Sequence, residues 1–470
     1  MLAFCGFETF REYSQEEDMS RLFGTDGVRG VANKELTPDL AYKLGRVGAF
    51  VLAEHEHHTP KIIVGCDTRI SCNMLESALV AGICSVGASA LVCGVVPTPA
   101  IAYLTRKYGC DAGVVISASH NPFEYNGIKF FSNLGHKLPD SIEDEIETII
   151  HGGESKVPMP VGEGIGTRQY REEALMDYVD YVHSTLTTDL SGMKVAIDCA
   201  NGACYEAAPA LFEKIGVSFT MINASPNGIN INKDCGSTHT GQLCEIVKCG
   251  DFDLGIAFDG DADRMLVCDE RGEMIDGDVI MAILAKDMKA RGKLSGDTIA
   301  VTVMSNIGLD VFAKANGMKT AKTKVGDRYV LEEMLAEGYS IGGEQSGHVI
   351  MLEYNTTGDG LLNAVQFMQV IKNSQMPVSE NAKIIDIYPQ VLVNAHVSNK
   401  NKYGFLEVPE IAEMCKALEN EFHGEGRVLI RPSGTEPLVR VMIEGKDQEF
   451  ITEKANALAK LIEKKLLEEK

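Results

Sequence analysis

Short apolar runs ending in small or polar loops recur along this chain. KIIVGCDTR (61–69), KVAIDCANGA (194–203) and TIAVTVMSNIG (298–308) are the first of each set. Runs rich in Val and Ile and bounded by turn residues read as buried strands. Each is followed by a helical pattern and then a second apolar run entering a polar loop: AGVVISASHNP (112–122), LGIAFDGDADR (254–264) and YSIGGEQSGH (339–348). Strands alternating with helices predict parallel or mixed sheets covered by helices. Three such units predict three related α/β domains, alike in layout and not in residue identity. Ligands of open α/β sheets bind beyond the strand ends, so the polar loops are the expected place for chemistry.

The last part of the chain differs. A strand VLVNAHV (391–397), a helix near 408–422, the segment GRVLIRPSGTEPLVRVMIEG (426–445) and a closing amphipathic helix predict a smaller C-terminal α+β domain. At Met19 the sequence becomes MSRLFGTDGVRG, a strand-like entry into a Gly-rich loop.

Length agrees with several domains. The chain has 470 residues, and a single core stops growing at roughly 250–300. Lys plus Arg number 44 against 67 Asp plus Glu, a formal charge of −23. So acidic a surface repels phosphate polymers and excludes a general nucleic-acid binder, while leaving room for a local basic pocket. The 13 cysteines include no CxxC pair, which removes zinc-ribbon and thioredoxin-type readings. An odd count in a long chain fits a reducing compartment, and Cys66, Cys84, Cys93, Cys199 and Cys268 lie in or beside apolar runs as small core residues. No apolar run is long enough to span a membrane. The expected location is the cytoplasm.

Four loops concentrate polar residues. Ser119, His120, Asn121 and Pro122 end the second run of the first unit. A serine there can carry a group once a base or metal activates it. On an extended chain His120 points away from Ser119 and is a poor direct base for it. Taken alone, a capping turn explains this loop better. Asp259, Asp261 and Asp263 alternate in DGDADR. Carboxylates so placed repel one another without a cation, and oxygen ligands of this kind suit Mg²⁺. Arg264 stands where an EF-hand needs glycine, which rejects that motif and points to a phosphate partner. Glu344, Ser346 and His348 in GGEQSGH can read sugar hydroxyls. Arg431, Ser433, Gly434 and Thr435, with Arg440 beyond, combine hydroxyls, a nest of backbone N–H groups and guanidinium charge into a phosphate cradle.

Taken in order, SASHNP with NGIK, DGDADR, GEQSGH and RPSGTEP resemble the phosphoserine, metal, sugar and phosphate loops of the α-D-phosphohexomutase family, over essentially the whole chain after residue 18. RLFGTDGVRGVAN, GININ with CGSTH, VGDRYV and TTGDG resemble its bacterial branch acting on glucosamine phosphates. The resemblance implies four domains around a central cleft: a phosphoserine domain at 19–180, a metal-binding domain at 181–275, a sugar-binding domain at 276–385 and a phosphate-binding domain at 386–470. It implies interconversion of glucosamine 6-phosphate and glucosamine 1-phosphate, on the route to UDP-N-acetylglucosamine. Glucosamine 1,6-bisphosphate would be the intermediate or primer. Ser119 matches the phosphoryl carrier and, with Asp259, Asp261 and Asp263, the site of one Mg²⁺. Arg29, His120, Lys129 and Arg264 match residues around the transferring phosphoryl. Glu344, Ser346 and His348 match the sugar-reading loop, and the 431–435 loop matches the site of the non-reacting phosphate. One departure is Phe-Glu-Tyr-Asn at 123–126, where many members carry an aromatic pair followed by Asp-Asn.

A mannose- or glucose-phosphate mutase would use the same chemistry, and the amino group is the discriminator. A silent phosphosugar-binding protein would not need Ser119, Lys129 and all three aspartates, and a phosphatase would not need a second phosphate cradle. The sequence leaves the oligomeric state open, a homodimer included. Residues 1–18 carry no family motif, so translation is expected to begin at Met19 and the extension to be dispensable.

Overall fold

Three sheets repeat one strand order. They are seen in a computed structural model that describes residues 21–24, 26–53, 59–153, 156–433 and 437–467. The N-terminal extension and, in the last loop, Gly434 and Thr435 lie outside the described residues. In the first domain the strands are β1 (Val28–Val31), β2 (Lys61–Cys66), β3 (Ser89–Val95), β4 (Ala112–Ile116), β5 (Tyr125–Ser132) and β6 (Arg168–Tyr170), in the order β1-β5-β4-β2-β3-β6. The second has β7 (Lys194–Asp198), β8 (Ser218–Ile222), β9 (Leu254–Phe258), β10 (Met265–Asp269) and β11 (Met274–Ile275), in the order β11-β10-β9-β7-β8. The third has β12 (Thr298–Thr302), β13 (Lys319–Thr323), β14 (Ile341–Gly343) and β15 (Val349–Met351), in the order β13-β12-β14-β15.

The apolar runs paired in the sequence are neighbouring parallel strands in each domain: β2 with β4, β7 with β9 and β12 with β14. Every residue of β4 and of β9 is buried, as expected for strands covered on both faces. Each second strand then reverses into an antiparallel partner: β4 into β5, β9 into β10 and β14 into β15. The loops with SASHNP, DGDADR and EQSGH are therefore equivalent hairpin connections at the carboxyl ends of equivalent strands. The strand expected at the head of the first domain forms later. The described residues before it, 21–24, 26 and 27, belong to no strand, and β1 follows and pairs with β5.

The C-terminal domain has an antiparallel sheet of β16 (Gln390–His396), β17 (Gly426–Pro432) and β18 (Leu438–Gly445), in the order β16-β18-β17. Helices Pro409–Phe422 and Gln448–Leu467 accompany it. Its core, with Val441, Ile443, Ile451 and Leu458, is separate. One continuous apolar core instead joins the first three domains and includes Ile101, Tyr178, Phe258, Ile299 and Phe367. The last domain meets the third through Arg427, which donates to the Ser305 carbonyl at 2.6 Å. All described cysteines are free; Cys66, Cys199 and Cys268 are buried, and Cys84 and Cys93 are half-buried. Among the described residues no helix is long and apolar enough to cross a membrane.

A buried hydrogen bond ties the helix at 174–184 to the third domain. Tyr178, on helix Ala174–Ser184, donates to Asp359 at the head of helix Gly360–Ser374 over 2.6 Å. Asp359 also accepts from the Leu362 N–H and from Asn355. Tyr178→Phe removes one buried donor and is expected to cost about 1–3 kcal/mol. The check is a lower midpoint in urea unfolding with the secondary structure intact.

Candidate active site

The SASHNP hairpin does not leave β4 in an extended conformation. Ser119 has φ of +51°, in the left-handed region. Its hydroxyl is buried and donates to Asp259 of the second domain at 2.6 Å. The same backbone turn brings His120 Nδ1 to 3.4 Å from Ser119 Oγ. The expectation that these side chains diverge assumed an extended chain, and the left-handed residue overturns it. Burial, followed by the guanidinium groups of Arg264 and Arg29, lowers the His120 pKa to about 4, so its ring is neutral near pH 7.

The DGDADR hairpin gathers Asp259, Asp261 and Asp263, all buried, with ligand-capable atoms within 4.8 Å of one another. They are not equivalent. Asp261 accepts from Thr98 at 2.7 Å and from Lys129 at 2.8 Å. Burial opposes its charge, but Lys129 and these hydrogen bonds hold its carboxyl below the usual range. Burial, then the adjacent charges of Asp263 and Asp261, push Asp259 well above that range. Oδ1 of Asp261 and Oδ1 of Asp263 are buried without a hydrogen-bond partner. Crowded carboxylates with oxygens to spare fit a divalent cation. Mutual repulsion means that removing one carboxylate costs metal affinity more than stability, and this holds for Asp259 better than for Asp261, which also satisfies Lys129 and Thr98.

Around this cluster runs a closed ring of alternating acidic and basic side chains. Lys129 lies 2.9 Å from Asp26 and 3.9 Å from Asp263. His348 contacts Asp263 through Nδ1 at 3.5 Å and Asp327 through Nε2 at 3.3 Å. Lys137 pairs with Asp327 and, at 2.5 Å, with Asp26. Burial opposes charge on Lys129, yet Asp26, Asp261 and Asp263 hold its ammonium above the ordinary lysine range. Burial likewise opposes protonation of His348, and Asp263 and Asp327 raise its pKa nonetheless. The ring joins the first three domains through Asp26, Lys129 and Lys137, through Asp263, and through Asp327 and His348. Asp26, Lys137 and Asp327 were not singled out from sequence. Asp26 and Asp327 fall in the GTDGVRG and VGDRYV segments, but nothing local marks Lys137, which lies far along the chain from its partners.

A cavity of about 490 Å³ opens beside the ring. It is lined by Arg29 and His120 of the first domain, Asp263 and Arg264 of the second, and Asp327, Glu344 and His348 of the third. Arg29 also pairs with Asp26. The Ser346 hydroxyl is buried without a hydrogen-bond partner. Among the described residues, none from the C-terminal domain lines the cavity. Arg431 and Arg440 face each other across β17 and β18. Burial, then the charge of Arg440, lowers the Arg431 pKa. The buried Ser433 bonds through its N–H to the Leu438 carbonyl at 2.9 Å, and its own carbonyl accepts from Lys402 at 2.7 Å.

Known proteins resemble this chain in sequence and in fold. Family models of phosphoglucomutase/phosphomannomutase alpha/beta/alpha domains I, II and III match residues 20–157, 176–272 and 276–388, and the model of the C-terminal domain matches 392–461. A phosphoglucosamine mutase of Ruminiclostridium cellulolyticum is 62% identical over 448 residues, covering 95% of this chain and 100% of that protein. A phosphoglucosamine mutase of Acetivibrio thermocellus is 60% identical over 448 residues with the same coverage. The crystal structure of a phosphoglucomutase/phosphomannomutase family protein from Burkholderia thailandensis superposes with a TM-score of 0.79 at 22% identity, over 94% of this chain and 97% of that one. The N-acetylphosphoglucosamine mutase of Aspergillus fumigatus, solved with GlcNAc-6P and magnesium, gives 0.69 at 17% identity, over 95% of this chain and 96% of that one. At such identities the structural likeness speaks to fold.

Asp259→Asn keeps an acceptor for the Ser119 hydroxyl and relieves crowding among the carboxylates. The metal-free variant is expected to melt no lower than the parent. Its Mn²⁺ affinity in titration calorimetry should fall by at least about tenfold, since even outer-shell losses cost about 10–100-fold.

Proposed function

The chain belongs to the phosphoglucomutase/phosphomannomutase family, and from that premise we propose that it works as a phosphoglucosamine mutase, an isomerase interconverting glucosamine 6-phosphate and glucosamine 1-phosphate. The sugar class rests on the full-length relatives that carry this name. The observation that carries the chemistry is the Ser119 hydroxyl bonded at 2.6 Å to one of three clustered aspartates, beside a cavity into which Arg29 and Arg264 bring positive charge among carboxylates.

In this reading Ser119 carries a phosphoryl group. Its P–O bond breaks as an oxygen of the bound sugar phosphate bonds to phosphorus, giving glucosamine 1,6-bisphosphate. The sugar hydroxyl loses its proton and Ser119 Oγ gains one. The neutral ring of His120, 3.4 Å from Oγ, is placed to relay it. The bisphosphate then turns end for end, and its other phosphoryl returns to Ser119. Asp259, Asp261 and Asp263 would hold Mg²⁺, which supplies charge neutralisation on the transferring phosphoryl. Arg29, Arg264 and Lys129 add fixed positive charge around the same centre. Glu344, Ser346 and His348 read the sugar.

Arg431, Ser433, Gly434, Thr435 and Arg440 take the phosphate that is not reacting. Two guanidinium groups facing each other across paired strands are stabilised by an anion between them. The separate core of the C-terminal domain lets this cradle move toward the cavity as a unit while the other three domains stay joined.

Phosphate is expected on Ser119 in intact-mass and peptide spectra of active protein, and Ser119→Ala should show only background turnover. A coupled assay with glucosamine 6-phosphate, mannose 6-phosphate and glucose 6-phosphate should give the highest kcat/KM with the amino sugar. Preference for either neutral sugar refutes the substrate assignment. Arg431→Ala should lower kcat/KM in both directions by about 10–100-fold, the scale of a lost charge-assisted hydrogen bond worth about 1.5–3 kcal/mol, while phosphate stays on Ser119.

A further inference from the structure

Two residues outside the cavity grip the backbone of the serine loop. Arg69 is fully buried and paired with Asp67. Its Nη2 donates to the Ser119 carbonyl at 3.0 Å and to the Asn121 carbonyl at 2.6 Å. Asn232, from the second domain, donates through Nδ2 to the same two carbonyls at 2.8 and 3.0 Å. Asn232 is itself pinned, its N–H bonded to the Ala200 carbonyl at 2.9 Å. Beside them the Ile70 N–H donates to the Gly228 carbonyl at 2.9 Å, and Thr68 donates to the Asn201 carbonyl at 2.6 Å. Gly260 completes the grip, because a Cβ there would come within 2.5 Å of the Ser119 carbonyl oxygen and 2.7 Å of Asn232 Nδ2.

The gripped residue is the one that needs it. Ser119 is left-handed without being glycine, a conformation that persists only where the surroundings over-determine it. Release toward the extended region would swing its Oγ away from Asp259. The grip spans two domains, so it also fixes the serine loop of the first against the carboxylate loop of the second.

We propose that Arg69 and Asn232 are positioning residues that hold Ser119 left-handed and keep its Oγ in register with Asp259 throughout turnover. The claim rests on Ser119 being the phosphoryl carrier. Were the two residues merely satisfying buried carbonyls, their loss would lower stability without selectively lowering kcat.

Three variants of the full chain test this. Asn232→Gly removes the amide, and glycine accepts the native φ of +57° without strain. Asn232→Asp keeps the shape but replaces a donor by an acceptor facing two carbonyls. Arg69→Lys keeps a cation for Asp67 but loses the guanidinium fork. Hydrogen exchange of a peptide spanning 117–123 should quicken by about tenfold or more in each variant. The kcat should fall by about 10–100-fold, the scale of a misplacement near 1 Å, with KM little changed, and in Asn232→Gly, where Arg69 still satisfies both carbonyls, melting should stay close to the parent. Asn232→Asp should be at least as impaired as Asn232→Gly. Parental exchange and parental kcat in Asn232→Gly would overturn the proposal, whatever Arg69→Lys does to folding. Faster exchange in the variants, with no phosphate found on the parent Ser119, would leave the grip standing and defeat the carrier assignment instead.

Discussion

Three carboxylates buried within 4.8 Å of one another form the constraint around which the first three domains are arranged. Removing a charged group from water costs on the order of several kcal/mol even after relaxation, and like charges side by side add to it. Lys129 offsets much of this, shared between Asp26, Asp261 and Asp263. The remainder of the ring carries the balance through Asp26, Lys137, Asp327 and His348 into the third domain. The first and third domains thus supply basic groups for carboxylates that the second brings. The unpartnered oxygens of Asp261 and Asp263 are where a cation could be held.

Repetition of one strand order makes this convergence possible. A hairpin loop at the carboxyl end of an equivalent strand occurs in each of the three α/β domains. Their joint packing around one apolar core turns the three loops toward a common cavity. One loop brings a hydroxyl, one brings carboxylates, and one brings groups that can bond to sugar oxygens. The fourth domain stands on its own core. A reaction in which the intermediate reverses its ends needs a rigid reacting centre and a movable grip on the far phosphate, and the division of the cores matches that need.

Much of this was legible along the chain. Buried strands betray themselves by short apolar runs, so the pairing of 61–69 with 112–122, and its two counterparts, could be read from pattern alone. Clustered aspartates signal a cation because their repulsion is a local fact. Ser119 drew its significance from company, since a serine before His-Asn-Pro is an ordinary capping turn until Asp259 is known to face it.

What the sequence by itself determined is the set of elements and the chemistry each loop can offer, because periodicity, turn chemistry and side-chain type act over a few residues. Only the tertiary structure decided which of those groups meet. Nothing local marks Asp26 in its turn or Asp327 at the head of its helix, and Lys137 bridges them because two domains close around it. Ser119 turns left-handed, and His120 swings beside it, because Arg69 and Asn232 hold two carbonyls from opposite sides of a domain boundary. Contacts between residues more than a hundred positions apart depend on how the domains pack, and no local pattern along the chain encodes that.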